Sequence, residues 1–118
     1  MSANNRIGYL QKVIAYTDTT SVDVGFLPPN AYVTAVKVLV TTDFTAGVLD
    51  VGITGTAAYY ADDVSLDGTG SKSVTSTAQW GAVQDSSDQT QVTAIVVATG
   101  TGLAAGSAKL VVEYAYLD

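Results

Sequence analysis

The chain has 118 residues, with eleven carboxylate side chains against five lysine and arginine residues and a formal net charge of −6 at pH 7. It contains neither cysteine nor histidine, which excludes disulfides and removes the side chains on which most zinc sites and catalytic triads depend. So acidic a protein would repel a phosphate backbone, and nucleic acid is therefore rejected as its main partner.

Short β-branched runs separated by small polar residues recur along the chain and predict an all-β fold. The first predicted strand covers residues 7–16, and the second covers residues 21–26. In the second strand, the alternation of apolar and polar residues predicts that Val22, Val24 and Phe26 face the core.

The next strand, residues 32–42, follows a turn that contains two prolines and is apolar on both faces. One face holds Tyr32, Thr34, Val36, Val38 and Val40, and the other holds Val33, Ala35, Lys37, Leu39 and Thr41. Such a strand needs two covers, one from a partner sheet and one from something else. Lys37 favours protein over lipid as the second cover, because an ammonium group must reach water or a carboxylate.

The rest of the sequence, after residue 42, predicts three further strands and one long polar region. Residues 55–90 are rich in Gly, Ser, Thr and Asp, and they are predicted to form long loops with one or two short strands near 73–79. Three more strands are predicted at residues 48–54, 91–99 and 107–116. The result is one domain, residues 7–118, built as a two-layer antiparallel β-sandwich of jelly-roll type with seven or eight strands.

Clustered aspartates are the only candidates for a metal site. Asp62, Asp63 and Asp67 supply the oxygen ligands that calcium prefers, but their spacing does not follow that of an EF-hand loop. A pair of them could also serve a glycosidase, yet no cleft or further chemical partner is evident in so small a chain. We therefore predict a solvated loop, no metal, no cofactor and no enzymatic activity.

Aromatic residues in the polar region suggest contact with a partner. Tyr59, Tyr60 and Trp80 could form a platform for a sugar ring or an interface with a protein, or they could fold back over the edge of a sheet. Residues 1–6 are polar and could be an arm that becomes ordered on binding, or simply a frayed terminus. The candidate interface residues are therefore Asn4, Asn5, Arg6, Lys37, Tyr59, Tyr60 and Trp80.

No membrane partner is predicted. The first residues lack the apolar run of a secretory signal, and every apolar stretch is shorter than the ~20 residues that a membrane-spanning helix needs.

Residues 24–63 read "VGFLPPNAYVTAVKVLVTTDFTAGVLDVGITGTAAYYADD" and contain a recurring series of turns and strands. The residues that carry the pattern are Leu27, Pro28, Asn30 and Ala31 in the proline turn, Val36, Val38, Thr41, Thr42 and Phe44 in the strand and its exit, and Gly47, Leu49, Val51 and Gly52 in the hairpin. This third of the chain resembles small head-associated proteins of tailed bacteriophages.

The resemblance implies a jelly-roll decoration or cement protein that sits as a homotrimer on the capsid exterior and clamps the major capsid protein lattice. It implies synthesis in the host cytoplasm, localisation in the virion and no catalytic residue. Two alternatives stay open. The chain could be a receptor- or carbohydrate-binding module of a phage fibre that uses the loops in 55–90, or a structural connector protein of the head or tail.

Overall fold

The computed structural model describes residues 5–72, 74, 80 and 88–117. Within these residues the chain forms eight strands: β1 (Asn5–Ala15), β2 (Val22–Leu27), β3 (Ala31–Thr42), β4 (Gly47–Ile53), β5 (Thr56–Ser65), β6 (Gly70–Lys72), β7 (Thr90–Ala98) and β8 (Ser107–Leu117). None of the described residues belongs to a helix that is long and apolar enough to cross a membrane.

The strands form two four-stranded sheets whose paired strands are antiparallel. Sheet A has the order β1-β8-β3-β6, and sheet B has the order β2-β7-β4-β5. Strands that are distant in sequence therefore lie side by side, as in the two Greek keys of a jelly roll. The predicted antiparallel sandwich of jelly-roll type is confirmed.

The core lies between the two sheets and consists of alternate residues from nearly every strand. In β8 the inward residues are Ala108, Leu110 and Val112, and sheet B contributes Leu49, Val51, Val92, Ala94 and Val96. Full burial of one such valine or leucine side chain stabilises the fold by about 1.5–3 kcal/mol. With no cysteine in the chain, this packing takes the place of covalent cross-links.

In β2 the predicted orientation of Phe26 is wrong. The pairing of β2 with β7 shifts register between Asp23 and Gly25, so one extra residue enters the strand and reverses the faces that follow. As a result Leu27 is fully buried, whereas Phe26 is 49% exposed. Val24 is the unpaired residue at this bulge and still faces the core, as predicted.

A similar shift divides β3. Its pairing with β8 changes register between Val33 and Ala35, so Val33 is buried and Thr34 is exposed. The prediction that Thr34 shares a face with Val36 is therefore wrong. Beyond the shift the predicted alternation holds, and Val36, Val38 and Val40 point into the core.

The predicted loop at residues 55–90 is wrong for residues 56–65, which form β5. A turn at Thr54 and Gly55 joins β4 to β5, and Gly55 adopts a φ of 87°, which favours glycine. The buried residues of β5 are Tyr60, Ala61 and Val64. The short strands predicted near 73–79 lie outside the described residues except at Val74, which packs against the core.

The first strand includes part of the predicted N-terminal arm. Asn5 pairs with Leu117 and Arg6 pairs with Tyr116, so β1 is aligned with β8 over all of its eleven residues. Residues 1–4, and with them the candidate Asn4, lie outside the described part of the chain.

Candidate functional site

The outward side of sheet A is a mixed apolar and basic surface. Lys109, Val111 and Glu113 alternate with the buried residues of β8 and therefore point away from the core. Pairing with β8 places residues of β1 and β3 beside them on the same side. We call this surface the outer face of sheet A; it comprises Ile7, Tyr9, Gln11, Val13, Ala35, Lys37, Leu39, Lys109, Val111 and Glu113.

Four large apolar side chains on this face are exposed to solvent. The exposed fractions are 64% for Ile7, 56% for Tyr9, 62% for Val13 and 43% for Leu39. A single exposed apolar residue is ordinary, but several on one side of one sheet mark a surface for contact with another molecule. Among the residues that the structure describes, none supplies the second cover that the sequence predicted for β3, and Ile7, Tyr9 and Val13 of β1 are exposed on the same face.

Basic residues surround these apolar side chains. Two shallow grooves run on either side of Val111: Lys109 lines both, and Lys37 and Lys72 line the one beside β3. Lys12 also borders the first groove, but it pairs with the buried Leu110, so its side chain leaves β1 on the inward side. The carboxylate on this face belongs to Glu113, whose Oε2 lies 3.8 Å from Nζ of Lys37. Exposed ion pairs at this distance contribute about 0–1 kcal/mol. Lys37 therefore reaches a carboxylate, as the sequence predicted that it must reach either a carboxylate or water.

A second candidate lies on sheet B, where three aspartates come together. The pairing of β4 with β5 changes register between Leu49 and Val51, so that Asp62 and Asp63 both stand opposite Asp50. Carboxylate oxygens of these three residues lie within 4.8 Å of one another. Asp63 has a φ of 54°, and its backbone N–H donates a hydrogen bond of 2.8 Å to Oδ1 of Asp50. We call Asp50, Asp62 and Asp63 the acidic cluster.

The environment of the acidic cluster raises the pKa of Asp50. Partial burial is the largest cause, and the neighbouring charges of Asp62 and Asp63 act in the same direction, whereas the hydrogen bond from the Asp63 N–H opposes them. The cluster therefore favours an arrangement in which a positive group approaches it.

Asp67, the third predicted metal candidate, is separate from this cluster. It lies in the turn after β5, where its N–H donates to Oγ of Ser65 at 3.3 Å and its carbonyl oxygen accepts a hydrogen bond from Nζ of Lys72. Sequence reasoning missed Asp50 as a member of the site. Asp50 lies on the outward side of β4, and this position becomes informative only once β5 is known to pair beside it.

The three candidate aromatic residues are held close to the body of this subunit. Tyr60 is fully buried in β5, and the half-buried Tyr59 packs edge-on against it, with ring centroids 5.0 Å apart. Nε1 of Trp80 donates a hydrogen bond of 2.6 Å to the carbonyl oxygen of Tyr60, and Trp80 packs against the core. Of the three, Tyr59 and Trp80 keep partly exposed surface with which to contact a partner.

Comparison with known proteins gives fold neighbours alone. No protein-family model matches the chain, and no curated protein matches it. A chain in the capsid asymmetric unit of cyanophage Pam1 is similar, with a TM-score of 0.66 and 23% identity over 97% of this chain and 86% of that one. A chain in the acidic stable capsid structure of Helicobacter pylori bacteriophage KHP30 gives a TM-score of 0.63 and 16% identity over 97% of this chain and 93% of that one. At these identities the similarity establishes a shared fold.

Proposed function

We propose that this chain is a structural protein of a phage virion, and specifically a decoration or cement protein on the capsid exterior. The observation that carries the proposal is the similarity in fold to chains of two phage capsid structures. The similarity extends over 97% of this chain and over 86% and 93% of the two matched chains. Because the coverage is high in both directions, those chains are only slightly longer than this one. The likeness is thus to a small separate protein and not to one domain of a large coat subunit.

The outer face of sheet A gives this proposal a physical basis. A cement protein stabilises a lattice by burying surface against its subunits, and four exposed apolar residues within one face provide such surface. Three copies acting as a homotrimer would bind the major capsid protein lattice more tightly than one, because the second and third contacts become intramolecular. The proposed mechanism requires no catalytic group.

The rival function, a receptor- or carbohydrate-binding module, receives less support. It depended on loops in residues 55–90, of which residues 56–65 form β5. It also depended on an aromatic platform, but Tyr60 belongs to the core. The connector alternative has the same fold requirements as the cement proposal and differs only in where the protein sits.

Binding to undecorated capsids tests the proposal. These capsids are assembled from the major capsid protein encoded in the same genome and are mixed with the full chain. We expect co-sedimentation that saturates at a fixed ratio to coat protein and raises the temperature at which the capsids dissociate. Absence of binding at micromolar concentration would rule out the cement function. A glycan-array signal in that case, lost in Trp80→Ala, would favour the receptor module.

A further inference from the structure

An open polar groove runs across the outward side of sheet B. Its volume is about 480 Å³, and the polar side chains along it are those of Ser21, Asp23, Thr54, Gln91 and Thr93. A volume of this size lies within the range of roughly 300–1,000 Å³ that is usual for sites of small ligands. No described residue of the acidic cluster or of the outer face of sheet A lines this groove.

Thr93 forms the floor of the groove. It alternates with the core residues Val92 and Ala94 along β7 and therefore points outward, yet it is only 7% exposed. Within the part of the chain that the structure describes, its hydroxyl group forms no hydrogen bond. A buried hydroxyl without an internal partner is costly, so a ligand that enters the groove and bonds to it would remove that cost.

The turn between β4 and β5 forms one wall of the groove. A Cβ atom built at Gly52 would overlap the carbonyl oxygens of Thr56 and Ala57, so the start of β5 folds closely over the outward side of β4. From this wall, Oγ1 of Thr54 donates a hydrogen bond of 3.3 Å to Oε1 of Gln91. The bond occupies the acceptor end of the amide and leaves the NH₂ group as the end that can donate to a ligand.

The bulge in β2 places an aromatic ring at the end of the groove. Asp23 pairs with Thr93 and Phe26 pairs with Gln91, so the extra residue, Val24, returns Phe26 to the same outward side as Asp23. Side chains directly opposite each other in an antiparallel pair have Cβ atoms about 4.5–5.5 Å apart. The half-exposed ring of Phe26 therefore stands beside the Gln91 amide. Bulges are common beside functional sites because they re-aim a side chain in this way.

The chemistry of the groove favours a neutral ligand that is rich in hydroxyl groups. A carboxylate, an amide and hydroxyls together supply acceptors and donors for such groups, and an aromatic face packs against the C–H groups of a sugar ring. All five basic residues of the chain lie in strands of sheet A, whereas Asp23 lines the groove. A phosphate, a sulfate or a sialic acid would therefore meet repulsion without a compensating cation.

We propose that this groove binds a neutral saccharide. Asp23 accepts hydrogen bonds from the hydroxyl groups of the sugar, Gln91 and Thr93 donate to its oxygens, and Phe26 packs against its ring. The site is separate from the aromatic platform that the sequence suggested, because neither Tyr59 nor Trp80 lines it.

The inference goes beyond the proposed function, which uses the opposite side of the sandwich. A copy that is seated on a capsid through the outer face of sheet A would hold the groove of sheet B away from the shell. Many copies on one capsid would then bind a polysaccharide more tightly than a single copy, because all contacts after the first are intramolecular.

Binding of oligosaccharides to the full chain, without capsids, tests this site. A glycan array that carries neutral oligosaccharides and their sialylated and sulfated counterparts is probed with the labelled wild-type chain. We expect binding to neutral members and binding about tenfold weaker, or less, to the acidic counterparts. The neutral oligosaccharide that binds most strongly is then titrated into the ¹⁵N-labelled chain. Amide NMR signals of residues 21–26, 53–57 and 91–93 should shift, and those of β1 should not.

Three variants remove single groups from the groove. Thr93→Val keeps the shape of the side chain and removes the hydroxyl, Gln91→Ala removes the amide, and Phe26→Ala removes the ring. Each should weaken binding roughly five- to tenfold. Thr93→Val should do so without lowering the denaturation midpoint, whereas a merely structural hydroxyl would lower it.

Matched controls lie at the far end of β7. Val97→Ala shortens an exposed apolar side chain, and Thr99→Val removes an exposed hydroxyl; both residues lie outside the groove. Both control chains should bind the oligosaccharide as the wild-type chain does. Circular dichroism establishes that each variant is folded.

The inference is overturned if no neutral oligosaccharide on the array binds, if acidic counterparts bind as tightly, or if the folded groove variants keep wild-type affinity. A signal that is lost in Trp80→Ala and kept in the groove variants would also overturn it, because the sugar would then lie on the aromatic platform. A chain that binds the saccharide through the groove but does not bind capsids refutes the cement function and leaves this inference intact. A chain that binds capsids and no saccharide does the reverse.

Discussion

Gly106 lies directly against the ring of Phe44. A Cβ atom built at Gly106 would stand 2.5 Å from Cδ2 of Phe44, and Gly106 has a φ of +146°, which side-chain-bearing residues rarely adopt. Phe44 is fully buried, and the carbonyl oxygen of Gly106 accepts a hydrogen bond from the N–H of Tyr16. The segment before β8 is therefore fixed by packing on one side and hydrogen bonding on the other.

Gly106→Ala is expected to lower the free energy of unfolding by about 3 kcal/mol, because it adds both backbone strain and a clash with a ring that cannot move. Urea denaturation measures the change. Gly100→Ala is the matched control, since no atom lies within 4 Å of a Cβ at that position. Equal stability of the two variants would contradict the close packing of Gly106 on Phe44.

The bulge in β2 predicts unequal roles for two neighbouring residues. Leu27→Ala should cost about 2–5 kcal/mol, because Leu27 is fully buried and its removal leaves a cavity. Phe26→Ala should cost less than about 1 kcal/mol, since Phe26 is half exposed. Denaturation midpoints of the two variants test the register directly, and a larger loss for Phe26→Ala would restore the simple alternation that the sequence predicted.

Asp50→Asn should stabilise the folded protein at neutral pH. The raised pKa of Asp50 means that the folded state holds its proton more tightly than the unfolded state, whose pKa is near 3.8, so stability falls as pH rises through this window. Asparagine keeps the acceptor for the Asp63 N–H and removes the charge. We expect a gain of up to about 0.5 kcal/mol at pH 7, since the group is largely solvated.

Thermal unfolding at several pH values measures this gain. It should shrink as the pH falls through the raised pKa, and it should be absent below 3.8, where Asp50 is protonated in both states. A gain that is the same at all pH values would show that the charge of Asp50 is not its cause.

Asp43→Ala should destabilise the folded protein at neutral pH, whereas Asp50→Asn should stabilise it. The pKa of Asp43 is lowered, first by the hydrogen bond from the N–H of Gly68 and next by that from Thr45, each at 2.8 Å. Its ionised form therefore stabilises the two turns that it joins, and this contribution is lost only as the pH falls below 3.8 and through the lowered pKa.

The melting temperature of Asp43→Ala should thus lie below that of the wild-type chain at pH 7, and the difference should narrow at the acidic end of the range. Asp43→Asn retains an acceptor and serves as the control that separates the hydrogen bonds from the charge. A deficit that grows in acid would contradict this role for Asp43.

Much of the fold could be predicted because buried strands must alternate. The positions of β4, β7 and β8 follow from valine and leucine at every second residue, and the proline turn before β3 is visible from Pro28 and Pro29. The register shifts in β2 and β3 could not be predicted, since each depends on how a strand meets its neighbour. For this reason Phe26 and Thr34 were assigned to the wrong faces.

β5 was missed for a different reason. Its sequence, TAAYYADDVS, consists largely of small and acidic residues, which favour loops when they are taken alone. The strand forms because β4 offers a free edge and because Tyr60, Ala61 and Val64 fill the core. The acidic cluster could not be predicted for the same reason, because Asp50 lies beside Asp62 and Asp63 only when β4 pairs with β5.

The outer face of sheet A was only partly foreseen. Lys37 and Leu39 were recognised on a second apolar face of β3, but the contribution of Ile7, Tyr9 and Val13 depends on the pairing of β1 with β8. Those two strands lie at opposite ends of the chain, so a pattern within either strand does not indicate that their apolar residues share one surface.

The central claim is that this protein acts by burying the outer face of sheet A against other proteins of a phage capsid. Electron cryomicroscopy of capsids saturated with the full chain tests it most directly. The account predicts density for this jelly roll at regularly repeated lattice positions, with Val13 and Leu39 covered by protein. Lattice positions without such density, or bound copies whose outer face of sheet A is open to solvent, would contradict it.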